Sequence, residues 1–321
     1  MNQAATHQLT IASTICMVTL SDIKNIFRGY IAINEPMSKY TSMRVGGPAD
    51  YYVEPADKQD LVEIARYFQK NNYPYLMLGR GSNMIISDEG VRCAAINLEA
   101  SLSNVRMECD LVVAEAGAHL SKFVDFCIQQ ELGGVEMLAG IPGSVGGAIV
   151  MNAGAHGGET ADHIVEVEVV RDGKIQLVRK DDAGFAYRRS AFANEIVLGA
   201  SFRLAKADKE VLTLRRRELI LKRNTTQPLT LPNSGSMFKN PPGTFAAKLI
   251  EQAGLKGKRV GNAQISEKHA NFIVNLGDAK ASDVVTLVDL VRRTVHQNTG
   301  VLLDLEVKLV GFPDDVRQKV A

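Results

Sequence analysis

The chain has 321 residues, 45% of them apolar and 23% charged, with 37 lysines and arginines against 36 aspartates and glutamates. This composition excludes a disordered polypeptide and predicts two or three domains, each able to bury a core without disulfide or metal staples. A formal net charge of +1 provides no global field for a polyanion, so nucleic acid is not an expected partner, while a local basic groove for one nucleotide is compatible with it.

Residues 1–30 carry no strong periodicity and are expected to form an N-terminal extension. Its apolar stretch at 9–20 is broken by Thr10, Ser13, Thr14 and Thr19 and has no lysine or arginine before it. It is too short to span a bilayer, so neither a signal peptide nor a membrane anchor is expected. Residues 50–54 predict a strand, after which Asp57 caps a helix whose Leu61, Ile64, Ala65 and Phe68 fall at i, i+3, i+4 and i+7. A strand at 75–78 runs into Gly79-Arg80-Gly81-Ser82-Asn83, a loop able to turn sharply before the apolar Met84-Ile85-Ile86. Short strands at 93–97 and 111–115 precede a helix with Leu120, Phe123, Val124 and Cys127 on one face, which stops at Gly133-Gly134. Nine of the 27 glycines fall between 133 and 158. That density suits backbone packed against a bulky ligand rather than a regular helix or strand. Strands at 165–170, 175–178 and 196–204 close an α+β unit. A charged helix over 208–223 leads to Gln227-Pro228, where the composition changes. The smaller α/β module beyond it has a helix at 245–252, strands at 261–265 and 271–276, a helix capped by Ser282 with Val284, Leu287, Val288 and Val291 inward, and a last strand at 302–310.

Several common signatures are absent. Gly79-x-Gly81 lacks the third glycine of a dinucleotide fingerprint, and neither G-x-x-x-x-G-K-[ST] nor H-E-x-x-H occurs, which removes support for a plain Rossmann dehydrogenase, a P-loop NTPase and a zincin. His156 and Glu159 lack a third ligand, so no metal site is expected. Cys16, Cys93, Cys109 and Cys127 form no C-x-x-C pair. They are expected to be reduced and mostly buried in an intracellular compartment, the cytoplasm.

The loop 79–83 offers consecutive backbone N–H groups, a hydroxyl, an amide and an arginine, a combination that suits a pyrophosphate. Gly140-Ile141-Pro142-Gly143-Ser144-Val145-Gly146-Gly147-Ala148 places small residues around a rigid Ile-Pro step, so a planar ligand can approach the main chain, and Met151-Asn152-Ala153-Gly154-Ala155 extends that surface. These segments, with the early Thr41-Ser42-Met43-Arg44-Val45-Gly46-Gly47, resemble the UDP-N-acetylenolpyruvoylglucosamine reductase (MurB) family of peptidoglycan synthesis. The resemblance runs from about residue 38 to about residue 312. Tyr187-Arg188-Arg189-Ser190 is similar to the family's Tyr-Arg-x-Ser, and Gly235-Ser236-Met237-Phe238-Lys239-Asn240-Pro241 to its Gly-Ser-x-Phe-Lys-Asn-Pro. Leu303-Asp304-Leu305-Glu306-Val307 is similar to Leu-Glu-Pro-Glu-Val, with departures at Asp304 and Leu305. The segment between Ser190 and Gly235 lacks the long tyrosine-bearing insertion of one class of the family. The basic run Arg215-Arg216-Arg217, with Lys222 and Arg223, is the candidate to replace that tyrosine at the nucleotide phosphates.

The resemblance implies an α+β chain: the extension over 1–30, a two-part FAD-binding domain of the PCMH/MurB type over 31–206 with parts near 31–92 and 93–206, and a smaller α/β substrate-binding domain over 207–321. It implies noncovalent FAD, NADPH as hydride donor and a sugar-nucleotide substrate, UDP-N-acetylglucosamine enolpyruvate, whose enolpyruvyl ether is reduced to the lactyl ether of UDP-N-acetylmuramate. No membrane and no obligate protein partner are inferred. Cofactor binding then falls on Gly79, Arg80, Gly81, Ser82, Asn83, Gly140, Ile141, Pro142, Gly143, Ser144, Gly146, Gly147, Ala148, Asn152, Ala153 and Gly154, with Gly146 expected to meet the flavin as bare backbone. Ser236 becomes the proton donor, and Arg188 and Glu306 the groups at the substrate carboxylate. Tyr187, Lys222, Lys239, Asn240 and His269 become substrate contacts. An enol ether is electron-rich and resists hydride, so its carboxylate must be polarised by fixed donors. The planar fork of Arg188 suits that role, and Glu306 suits it when protonated or paired with the arginine. The residues leave two other readings open, another FAD oxidoreductase with the same binding domain and a nucleotide-binding protein without catalysis. A yellow protein bleached by NADPH and reoxidised by the enolpyruvyl substrate separates the three.

Overall fold

The computed structural model describes residues 18–320; the expectations for Cys16 and for most of the apolar stretch at 9–20 lie outside the described residues. Within the first thirty residues stands a helix, Leu20–Ile26, that the periodicity does not predict. Thr19 and Asp22 close a reciprocal cap at its start, and Ile23 is wholly buried, which fixes so short a helix to the core.

The first sheet has the spatial order Tyr30–Pro36, Pro48–Glu54, Val91–Asn97, Tyr75–Leu78. The helix Lys58–Lys70 carries the chain from the second of these to the fourth, and Val91–Asn97 inserts between them, parallel to both. Asp57 caps that helix by accepting from Asp60 N at 2.9 Å, and the expected inward face of Leu61, Ile64, Ala65 and Phe68 is buried. The second sheet is antiparallel, in the order Lys174–Arg179, Ile164–Arg171, Ile196–Phe202, Leu111–Glu115, Val105–Glu108. Its edge strand Val105–Glu108 has no buried residue, and its alternation of Val105 and Met107 with Arg106 and Glu108 spans only four residues, too few to set it apart in the sequence. One hydrophobic cluster runs from the first sheet and its helix into the helix Leu120–Gln129 and the second sheet. The third sheet, Asn233–Ser236, Phe272–Asn275, Ala263–Ile265, Arg259–Val260, packs with the helix Ala281–Thr299, whose Val284, Leu287, Val288 and Val291 are buried as expected.

Four local expectations are corrected. The helix from Leu120 ends at Gln129, before Gly133-Gly134, because Glu131 turns left-handed at φ +58 and Leu132–Gly133 pairs with Ala205–Lys206. The glycine-rich segment contains regular structure, the helix Val145–Met151, with Ser144 Oγ accepting from Gly147 N at 3.3 Å. Ser282 is not a cap but lies inside the helix Ala281–Thr299. The end of that helix is held by Asp88, whose carboxylate accepts from Ala281 N at 2.7 Å and Ser282 N at 3.0 Å. The last strand shrinks to Lys308–Val310 and leaves the C-terminal sheet, pairing in parallel with Met84–Ile86. That crossing, with the bond from Asn275 Nδ2 to Met43 O at 3.0 Å and the burial of Met43, Val45 and Ile85 in the C-terminal cluster, fastens the C-terminal module beside the loop 79–83.

Among the described residues no helix is long and apolar enough to cross a membrane. Cys93 and Cys127 are free and buried, and burial pushes their thiols up to about 11 and about 12; Cys109 is free but exposed.

Candidate active site

A cavity of about 690 Å³ opens where these parts meet. Loop 79–83 forms one wall. Gly81 sits at φ +57, and a Cβ there would strike Tyr40 O and Thr41 Cα, so the loop can close on the opening segment only with glycine at this position. Asn83 ties the same loop to the C-terminal strand: its Nδ2 donates to Glu306 O at 3.2 Å, and its carbonyl accepts from Lys308 N at 3.0 Å. Ser82 also lines this wall. Arg80 does too, but its guanidinium is paired with Glu99 at 2.5 Å beside the His119 ring, so its charge is partly compensated by the protein.

The second wall is the 141–154 segment, where Ile141, Pro142, Ser144, Gly147, Ala148, Ala153 and Gly154 line the cavity. Its glycines differ in what they meet. Gly147 is exposed, and a Cβ there would touch only Ser144 Oγ at 3.4 Å. Gly146 touches the cavity but is buried, and a Cβ would come within 2.8 Å of Ala116 Cβ and 3.1 Å of Ala116 O. A side chain added at Gly146 would therefore enter protein packing rather than the cavity that its backbone lines. Gly140 and Gly143 stand outside the lining; a Cβ on Gly140 would approach Arg223 Cδ to 3.2 Å, and one on Gly143 would meet Ser82 Oγ at 3.7 Å. Asn152 belongs to the frame as well, its Nδ2 bonded to Glu159 Oε2 at 2.7 Å and Ala186 O at 3.1 Å and its Oδ1 to Ala161 N at 3.0 Å.

The third wall brings together three residues far apart in sequence. Glu306 N donates to Met237 O and Lys239 N to Asp304 O, both at 2.9 Å, so the segment carrying Ser236 and the segment carrying Glu306 run side by side. Asn271 braces this pairing, accepting from Phe238 N at 3.0 Å and donating to Phe238 O at 2.8 Å. Arg188, left-handed at φ +57, donates from Nε to Glu306 Oε1 and from Nη2 to Gly154 O, both at 2.9 Å, and its guanidinium lies over the Tyr187 ring at 4.9 Å. Burial pushes the Glu306 carboxyl above its ordinary range, against the opposing positive charges of Arg188 and Lys239. Ser236 lines the cavity, and its hydroxyl has no hydrogen-bond partner among the described residues.

The remaining expected contacts lie outside the lining. Asn240 Oδ1 accepts from Ala246 N at 3.1 Å at the start of the helix Ala246–Gln252. The His269 ring packs edge-on against Phe272, with burial holding its imidazole below its ordinary value. Tyr187 and Lys222 are exposed, and Lys239 is half-buried. Glu99, Gln227 and Lys308 line the cavity without having been singled out. Lys308 has a legible signal in its place two residues beyond Glu306; Glu99 has none. No group of three or more His, Cys, Asp or Glu side chains among the described residues gathers as metal ligands.

The cavity's volume, the open backbone at Gly147 and two buried polar atoms without a partner among the described residues, Arg223 Nε and Gln227 Oε1, fit a large ligand that has a planar portion, phosphoryl groups and hydroxyls, as FAD and a sugar nucleotide do. Comparison with known proteins supplies independent grounds. The family model described as UDP-N-acetylenolpyruvoylglucosamine reductase, C-terminal domain, matches residues 227–310, and an FAD binding domain matches residues 49–178. The UDP-N-acetylenolpyruvoylglucosamine reductase of Chloroherpeton thalassium is 46% identical over 311 residues, 94% of this chain and 100% of that protein. That of Geobacter metallireducens is 42% identical, covering 88% of this chain and 95% of its own. The crystal structure of the UDP-N-acetylenolpyruvylglucosamine reductase from Thermus caldophilus superposes with a TM-score of 0.75 at 37% identity, covering 88% of this chain and 99% of that one. With its FAD-binding domain ahead of the C-terminal module and relatives this similar over nearly all their length, the chain belongs to the UDP-N-acetylenolpyruvoylglucosamine reductase family.

Proposed function

We propose that the chain reduces the enolpyruvyl ether of UDP-N-acetylglucosamine enolpyruvate to the lactyl ether of UDP-N-acetylmuramate, a step in making peptidoglycan precursors, as an FAD-dependent oxidoreductase that draws its hydride from NADPH. The observation that carries this reading is the convergence of Arg188, Glu306 and Ser236 on one cavity wall from three distant parts of the chain, with Arg188 Nε bonded to Glu306 Oε1 at 2.9 Å. When bound, FAD reduced by NADPH supplies hydride to the enolpyruvyl group.

The protein's own part is electrostatic and prototropic. Hydride arriving at the methylene carbon leaves negative charge on the carbon that bears the carboxylate, and the charge spreads into that carboxylate. Arg188, held by Glu306 and Gly154 O, presents fixed N–H donors for it and needs no reorganisation as the charge develops. Glu306, kept protonated by burial or paired with Arg188, sets the orientation of that fork. The Ser236 hydroxyl, with no protein acceptor, gives its proton to the charged carbon. An alcohol is a weak acid in water, but a carbanionic carbon is a strong base, so position matters more than a matched pKa. Backbone of loop 79–83 and the exposed Gly147 hold the cofactor. A UDP-linked substrate, NADPH and free buried thiols support the reading that the reaction takes place in the cytoplasm.

Anaerobic mixing of the NADPH-reduced protein with enolpyruvyl-UDP-N-acetylglucosamine tests the reading. Rapid return of the yellow oxidised flavin is expected. Bleaching by NADPH without substrate-dependent reoxidation would assign the chain to different flavin chemistry.

A further inference from the structure

The basic helix Lys209–Thr226 has an inner and an outer face. Inward, Leu212 is buried, Leu219 and Ile220 are half-buried, and Arg223 lines the cavity with its stem against Gly140. Outward, Val211, Leu214 and Leu221 fall at i, i+3 and i+10 on one stripe and are 60%, 59% and 62% exposed. Single exposed leucines are ordinary on a protein surface, but three aligned on one helix form a patch that water alone does not explain.

The charges beside that stripe are sorted along the helix. Asp208 and Glu210 stand at its start and Arg215, Arg217 and Lys222 in its second half, all exposed. Arg216 pairs with Asp125 at 2.7 Å, whereas Glu210, Arg215, Arg217, Glu218 and Lys222 have no ion-pair partner among the described residues. Residues seven apart share one edge of a helix, so Glu210 and Arg217 flank the stripe on one side and Asp208, Arg215 and Lys222 on the other. A second copy of the helix laid antiparallel brings each edge against itself. Glu210 then faces the partner's Arg217, Asp208 faces the partner's Arg215, and Val211 packs on the partner's Leu214. Other registers are worse. A slide that brings Val211 onto the partner's Leu221 buries the Glu218 carboxylate against the partner's Leu214 and sets Arg215 and Arg217 against their own counterparts. A parallel pair sets Arg217 against the partner's Lys222 and aligns the two helix dipoles.

We propose that the outer face of Lys209–Thr226 is a self-association surface, on which two copies of the chain pair through antiparallel helices around a shared core of Val211 and Leu214. Complementary charges on both edges set the register, and Glu218 limits how far the apolar stripe is shared. A core of two side chains from each copy falls well short of the about 1,600 Å² of a standard interface, so the dimer is weak and governed by concentration.

Sedimentation velocity of the FAD-loaded protein from about 1 to about 300 µM, at low salt, tests the proposal. The wild type should pass from monomer to dimer within that range. Leu214→Glu, which puts a carboxylate into the shared core, should weaken association by about tenfold or more with flavin content unchanged, and Val211→Glu gives the same readout should Leu214→Glu lose its flavin. Glu210→Arg and Arg217→Glu should each weaken the dimer by setting like charges together, while an equimolar mixture of the two variants should associate again, because every edge pair in the mixed dimer is once more opposite in charge. A folding defect would not be repaired by mixing. A wild type that stays monomeric, a dimer untouched by Leu214→Glu and Val211→Glu, or a mixture no stronger than either variant alone would overturn the proposal. Flotation of a monomeric wild type with phosphatidylglycerol vesicles, but not with phosphatidylcholine vesicles, would assign the face to an anionic membrane surface and overturn it as well.

Discussion

Gly146→Val and Gly147→Val add the same atoms to neighbouring positions of one helix and should fail in opposite ways. At Gly146 the new Cβ would sit 2.8 Å from Ala116 Cβ and 3.1 Å from Ala116 O, while Gly146 N is already bonded to that carbonyl at 2.8 Å. Neither partner can retreat without breaking the bond, so overpacking should lower stability by about 1–3 kcal/mol. At Gly147 the Cβ would meet only Ser144 Oγ at 3.4 Å and the added methyls would enter the cavity. Valine forms helix slightly better than glycine, so the fold should be unaffected or gain a few tenths of a kcal/mol. The same overpacking, now against the flavin, should weaken FAD binding by about 1–3 kcal/mol, roughly 5- to 150-fold in Kd. Denaturant unfolding of the flavin-free proteins and fluorescence titration with FAD separate the two effects. If Gly147→Val binds FAD as tightly as the wild type, or if Gly146→Val is as stable as the wild type and merely loses flavin, the assignment of these two faces is wrong.

Acid precipitation should release the flavin quantitatively, and colour retained on the polypeptide, with His156 the nearest suspect, would refute noncovalent binding. Ser236→Ala should keep flavin reduction by NADPH while slowing reoxidation by the enolpyruvyl substrate by about 10²–10⁴-fold; Ser234→Ala, a buried hydroxyl 3.5 Å from Met84 O, should change stability rather than either rate, and the reverse pattern would displace the proton donor. Because burial raises the Glu306 carboxyl above the ordinary 4.5, the folded chain holds more of that proton than the unfolded chain as pH rises from 4.5 through the raised value. The stability of the wild type relative to Glu306→Gln should therefore fall with rising pH across that window, and a difference that does not change with pH would contradict it. Asp88→Ala should cost about 0.5–2 kcal/mol through loss of the cap on Ala281–Thr299, read as a lower unfolding midpoint; an unchanged midpoint would make that contact incidental.

Much of this protein is determined by local pattern. The helix Lys58–Lys70 with its Asp57 cap, the strands Tyr75–Leu78 and Leu111–Glu115, and the inward face of Ala281–Thr299 follow from spacing that any chain neighbour can enforce. The motifs around Arg188, Ser236 and Glu306 are equally legible through their resemblance to the family's, and the fold brings the three residues onto one cavity. Tertiary structure decided what those local patterns meet. The cap on Ala281 comes from Asp88, and the partner of Lys308–Val310 is Met84–Ile86, each more than a hundred residues away and unmarked by periodicity. It also decided which glycine is packed against protein and which is open to the cavity, and which cation of the basic helix turns inward. A side chain's direction is set by the local backbone, but what it meets is set by a surface that exists only once the distant segments have packed.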